Sequence, residues 1–186
     1  MADWSMADKA EWQTHLYGAK LADKDHPVIV FRGKLDGLCS AVLEAQLLGE
    51  RAGDGEFVSD LQEVLAFVRA IQPAEYRGIP LGEFRLLGMD AAELRERSHH
   101  PEKYFGQGHI LMDRSAGALS CRANLLRTMT RELELSAVTA FRNPEDTAAS
   151  LRPDILRALN RLSSLFYVMI YKYLPEGFVP VGDAGI

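Results

Sequence analysis

Residues 158–174 read "ALNRLSSLFYVMIYKYL", and the spacing of their apolar side chains decides the fold class. Leu159, Leu162, Phe166, Met169 and Ile170 recur at intervals that place them on one face of a helix. Beside that face run Asn160, Ser164 and Tyr167 at i, i+4 and i+7. An Asn, an Arg and two Ser thus stand near the start, where a plain core helix carries Ala or Leu. The Asn160 amide reads equally well as a core-edge group satisfied by a neighbouring helix or as a contact to a ligand.

Outward from this stretch the same period repeats. Residues 118–141 predict a long helix with Leu126, Met129, Leu133, Ala137 and Ala140 as its apolar stripe, and "NPEDTAASLRP" leads from it to the helix that ends at Pro175. Val28, Phe31, Leu35, Leu38, Val42 and Ala45 predict a first helix running to about Gly49, which "RAGDGE" breaks. Phe57, Leu61, Val64, Leu65, Val68 and Ile71 predict a second that stops at Pro73. The Gly- and Pro-rich residues 73–88 read as a structured loop, and "MDAAELRERS" as a short helix capped by Asp90. Residues 99–117 read as irregular, and no strand pattern is persuasive. The expected fold is all-α: an up-and-down bundle of about five helices with one long connection. Residues 14–174 form its single domain, 1–13 an N-terminal arm and 175–186 a C-terminal tail.

Composition bounds the function. A chain of 186 residues, 47% hydrophobic and 25% charged, suits one globular domain with a sizeable core. Its net charge of −5 argues against nucleic acid or an anionic membrane as partner, although a local arginine cluster can still face a phosphate. Cys39 and Cys121 lie far apart on expected helices and encode neither a disulfide framework nor a cysteine metal site. That cysteine usage makes a reducing cytoplasm the expected compartment, and no run approaches the roughly 20 apolar residues of a membrane span.

Chemistry concentrates on the 118–141 helix, where Arg127, Arg131 and Glu134 fall at i, i+4 and i+7 beside the apolar stripe. They read either as solvated charges with an i, i+3 ion pair, or as an arginine pair for a polyphosphate with Glu134 orienting a guanidinium or contacting a nucleotide hydroxyl. Two helices with polar stripes at comparable positions suggest faces that meet at one site.

Three separated motifs then carry a resemblance: "THLYGAKLADKDHPVIVFRGKLD" (14–36), "LLRTMTRELE" (125–134) and "LNRLSSLFYV" (159–168). In order and rough spacing they resemble the ATP:cob(I)alamin adenosyltransferases of the propanediol-utilisation superfamily. The closer likeness is to the ethanolamine-utilisation type, through "PLG" (80–82), "RSHHPEKY" (97–104) and "LRPDIL" ahead of "ALNRLSS". The resemblance spans about Thr14 to Tyr173. It implies a helical-bundle homotrimer with ATP, carried as its Mg²⁺ complex, bound between subunits, and a reduced cobalamin that attacks the 5′-carbon. A reductase and a cobalamin-dependent ammonia-lyase are the implied partners, and association with a microcompartment is an alternative address.

Carried over residue by residue, the resemblance assigns Arg127, Arg131 and Asn160 to catalysis and, with Glu134, to the nucleotide. It assigns Thr14, Gly18, Lys20 and Lys24 to the phosphates, and pairs Asp36 with Arg127 across the subunit interface. Leu111 stands where the propanediol type carries a phenylalanine wedge against cobalamin's lower ligand, with Tyr104 and Phe105 as apolar help; the alternative is that this loop only packs on the bundle. The sequence departs from the family pattern in "WSMADKAEWQ" (4–13), which replaces a Thr/Gly-Asp-Gly cluster, in Glu132 for a second arginine and in Ser164 for an aspartate. The altered N-terminal loop leaves a noncatalytic trimer that holds corrinoid or nucleotide as the alternative function. The chain lacks the His/Cys metal motif of some ethanolamine-type members; adjacent His99 and His100 read as surface histidines, and no protein-bound metal is expected.

Overall fold

The structure, a computed structural model, describes residues 9–146 and 150–180. The first eight residues of the expected arm, the end of the tail and the middle of "NPEDTAASLRP" lie outside the described residues. A hairpin of β1 (Gln13–Tyr17) and β2 (Lys20–Asp23) precedes α1 (Pro27–Ala52) and α2 (Gly55–Arg77). A two-residue hairpin, β3 (Arg85–Leu86) and β4 (Met89–Asp90), leads to α3 (Ala91–His99) and α4 (Pro101–Phe105). The last two elements are α5 (Gly117–Ala140) and α6 (Pro153–Lys172).

The four long helices form the bundle. α1 packs on α2 and α5, α5 packs most extensively on α6, and α3 lies against α6. The stripes read from the sequence supply the core: every apolar residue named above for α1, α2 and α6 is buried, as are Leu126, Leu133 and Ala137 of α5. Met129 and Ala140 pack at its edge. Local chemistry sets the helix ends. Asp54 caps α2 through Phe57 N, Pro27 and Pro153 open α1 and α6, and Asp90 and Glu93 form a reciprocal capping box on α3.

Three expectations need correction. Strands exist: both hairpins are antiparallel and too short to display alternation, since β1 buries only Leu16. α2 does not stop at Pro73 but continues to Arg77, where Gly78 adopts the left-handed cap at φ 65°. Ala74 and Glu75, just past the proline, are buried, so tertiary contacts outweigh the missing backbone donor. Residues 101–105, expected to be irregular, make the short helix α4.

Two ion-pair knots fix the segments around the bundle. Glu75, 3% exposed, accepts hydrogen bonds from Arg32 Nε (2.7 Å), Arg32 Nη2 (3.2 Å) and Tyr17 Oη (2.6 Å). Arg32 also donates to the Leu16 carbonyl at 2.7 Å and lies against the Tyr17 and Tyr76 rings, while Gly18 N donates to Tyr76 Oη. The β1–β2 hairpin is therefore latched to α1 and α2. Burial, reinforced by Glu75, pushes the Tyr17 hydroxyl up to about 12. In the second knot Arg152 grips Asp154 (Nη2–Oδ2 2.8 Å) and donates to the Ala74 and Ile79 carbonyls, tying the start of α6 to the end of α2.

Candidate active site

α5 and α6 pack with their polar stripes turned to the same side, and α3 closes that side. The result is a cleft of about 610 Å³ whose lining includes Arg95 and His99 of α3, Arg131 and Glu134 of α5, and Asn160, Arg161 and Ser164 of α6. Asn160 Nδ2 donates to Glu134 Oε1 at 3.1 Å, so the amide is held from the facing helix and its carbonyl oxygen remains available as an acceptor. This is the meeting of polar faces that the two stripes suggest.

The guanidiniums of Arg95, Arg131 and Arg161 have no carboxylate partner among the described residues. The i, i+3 reading of the α5 stripe as an ion pair is therefore not what is observed, because Glu134 serves Asn160. Three cations around one cleft repel one another, and an anion of high charge relieves that repulsion. Arg127, one turn before Arg131, is half-buried; its Nε donates to Asn124 Oδ1 at 3.0 Å. Burial and the neighbouring Arg131 charge lower its guanidinium from the ordinary value, so both features favour the approach of an anion.

Arg95, His99 and Arg161 were not assigned from sequence. Arg161 had a signal, as the one cation beside Asn160 in "LNRLSS". Arg95 had none, since α3 is polar nearly all round and only Leu94 is buried.

Beyond Ser164 the α6 stripe continues to Tyr167 and Tyr171, which meet the loop after α4. Phe105 stacks on Tyr171 with ring centroids 5.0 Å apart. Tyr104 instead lies at the surface with Arg97 and Lys103 over its ring. Leu111 is 65% exposed, between Ile110 and Met112, which pack on the core. Its side chain is thus presented outward rather than packed on the bundle.

The remaining sequence-derived residues do not join the cleft within one chain. Thr14 pairs with Ala22 in the β1–β2 hairpin, Gly18 makes its turn at φ 54°, and Lys20 and Lys24 are exposed without an ion-pair partner among the described residues. Asp36 is exposed on α1, and its side chain makes no bond to Arg127. Lys24 adjoins Asp25, which lines a groove with Lys34, Glu132 and Leu135; Leu135 also lines the cleft, so only the α5 ridge separates the two. Among the described residues no cluster of His, Cys, Asp and Glu is placed to hold a metal, and no helix is long and apolar enough to cross a membrane.

The family profile described as cobalamin adenosyltransferase matches residues 7–173. The corrinoid adenosyltransferase EutT of Escherichia coli (strain K12) is 35% identical over 169 residues, which cover 89% of this chain and 60% of that protein. The corrinoid adenosyltransferase EutT of Salmonella typhimurium is 34% identical over 166 residues, 87% of this chain and 58% of that protein. The chain thus spans about 60% of the length of the curated relatives it matches. With a helical bundle, a cationic interhelical cleft and a profile match over residues 7–173, the chain belongs to the cobalamin adenosyltransferase family.

Proposed function

We propose that the protein transfers the 5′-deoxyadenosyl group of ATP, supplied as MgATP, to the cobalt of a reduced cobalamin. The cobalt(I) electron pair forms the Co–C bond at C5′, the C5′–O bond breaks, and triphosphate departs with the bonding pair. Cobalt ends formally as Co(III), so no further oxidant or reductant enters this step.

Such a reaction asks the protein for neither a nucleophile nor a base. It asks for a grip on the leaving polyphosphate, alignment of C5′ with cobalt, and a corrinoid whose lower ligand has been removed so that cobalt(II) can be reduced. The observation that carries the reading is the set of three guanidiniums, Arg95, Arg131 and Arg161, left without carboxylate partners among the described residues around the Glu134–Asn160 pair. Arginine forks match phosphate oxygens and stay charged at every working pH. Asn160, held through its Nδ2 by Glu134, offers its carbonyl oxygen to a nucleotide donor. Leu111, projecting from the loop at the far end of the α6 stripe, supplies apolar bulk for the corrinoid's lower face.

The hairpin residues Thr14, Gly18, Lys20 and Lys24 complete the phosphate cradle from a second copy of the chain, with Asp36 of one subunit paired to Arg127 of the next in a homotrimer. This arrangement accounts for their distance from the cleft within one chain. By the same reading an electron donor and a cobalamin-dependent lyase act before and after this protein in a cytoplasmic or microcompartment setting. Asn160→Ala tests the nucleotide assignment. The ATP KM should rise at least about tenfold with the corrinoid KM unchanged, in line with loss of a charge-supported hydrogen bond. An unchanged ATP KM would remove the cleft from the nucleotide site.

A further inference from the structure

Three hydrogen bonds close a ring between α6 and the loop after α4. Tyr171 Oη donates to the Gly108 carbonyl at 2.9 Å, the hydroxyls of Tyr167 and Tyr171 lie 2.7 Å apart, and His109 Nδ1 lies 2.6 Å from Tyr167 Oη. The chain has only one consistent polarity. The carbonyl can only accept, so Tyr171 spends its single proton there and must accept from Tyr167. Tyr167 has then spent its own proton and must accept from His109, so Nδ1 carries a hydrogen. Burial raises both tyrosine hydroxyls above their ordinary values and keeps them as donors.

A neutral imidazole with hydrogen on Nδ1 has a lone pair on Nε2. His109 is exposed, and Nε2 has no partner among the described residues. In the neutral ring the relay therefore orients a hydrogen-bond acceptor outward from a loop that also carries Leu111. Tyr167 follows Asn160 by seven residues on the same stripe of α6, an offset of about 10 Å along the helix.

We infer that His109 contacts the corrinoid and accepts a hydrogen bond at Nε2 from a primary amide on the rim of the corrin ring. The inference rests on the adenosyltransferase reading above, which places the corrinoid at this loop. A corrin bears acetamide and propionamide side chains, whose N–H groups are donors. A side chain hydrolysed to carboxylate offers no donor and sets its charge against the lone pair. His109 thus selects amidated corrinoids over their acids, and Tyr167 and Tyr171 are positioning residues that fix its tautomer.

The test is equilibrium binding of cob(II)alamin and of its three propionate-side-chain monocarboxylates, with ATP present. Wild-type protein should bind cob(II)alamin about three- to tenfold more tightly than at least one monocarboxylate, the range of one neutral hydrogen bond. In His109→Ala that ratio should fall close to one while the ATP Kd stays unchanged; a purely structural role would not move a ratio between two ligands. Tyr167→Phe keeps the ring but frees Nδ1, and should lose part of the discrimination. No discrimination by the wild type, or the wild-type ratio retained in His109→Ala, would overturn the assignment, and the wild-type ratio retained in Tyr167→Phe would overturn the relay. Discrimination without formation of adenosylcobalamin would sink the transferase reading and leave His109 standing. Turnover without discrimination would do the reverse, and failure to bind any corrinoid would sink both.

Discussion

Replacing Glu75 by alanine should unlatch the N-terminal hairpin at a cost that the geometry sets. The carboxylate is buried and accepts three hydrogen bonds, two from Arg32 and one from Tyr17. Its removal leaves Arg32, with a side chain only 14% exposed, holding an uncompensated charge beside the Leu16 carbonyl. Breaking a buried pair from one side costs about 3–5 kcal/mol. Partial access of water to Arg32 and Tyr17 puts this case at the lower end, about 3 kcal/mol, or roughly a hundredfold in the folding equilibrium. At a urea slope of about 2 kcal/mol/M the midpoint should fall by about 1.5 M, measured by circular dichroism at fixed protein concentration. Glu75→Gln keeps one acceptor oxygen and should lose distinctly less. The β1–β2 hairpin should become the first site of limited proteolysis in Glu75→Ala, and the ATP KM should rise with it because Thr14, Lys20 and Lys24 ride on that hairpin. A loss under about 1 kcal/mol, or equal losses in the two variants, would refute the latch.

Other perturbations address the cleft, the second knot and the loop. Arg131→Ala should raise the ATP KM by about a hundredfold and Arg131→Lys should restore it only partly, because an ammonium lacks the fork; steady-state kinetics at varied ATP decide this. The grip of Arg152, with the Leu81 N–H, holds the Asp154 carboxyl down at about 2. A depressed carboxyl stabilises the fold above its ordinary range and loses that contribution as pH falls through the folded value. Asp154→Asn should thus be less stable than wild type at pH 7, with the gap closing between pH 3.8 and about 2 in urea melts across that range. Leu111→Ala should slow the reaction from cob(II)alamin far more than from pre-reduced cob(I)alamin; equal slowing from both would place the wedge elsewhere. Light scattering should give a trimer at working concentration, and charge loss at Asp36 or Arg127 should weaken assembly and activity together.

The parts of this molecule that the sequence made legible are those with a repeating period. Each long helix announces its buried face through apolar residues three and four apart, and the polar stripes of α5 and α6 are read by the same rule. That is why Arg131, Glu134 and Asn160 emerge together. The hairpins were not legible because β1 turns a single residue inward and β3 and β4 are two residues each. Pro73 reads as a stop only when the burial of Glu75 is unknown. The Arg32–Glu75 pair joins residues 43 positions apart and leaves no local mark. His109 likewise gains its meaning only once α6 brings Tyr167 beside it, 58 positions away. Arg95 enters the cleft because α3 packs on α6, a tertiary choice that its own polar sequence does not encode.

The most direct measurement mixes the protein anaerobically with pre-reduced cob(I)alamin and MgATP and follows both products. The visible spectrum should convert to that of an alkyl-cobalt species, with one triphosphate released per adenosylcobalamin formed. Corrinoid and nucleotide bound but recovered unchanged, or ATP split to ADP and phosphate without a Co–C bond, would contradict it.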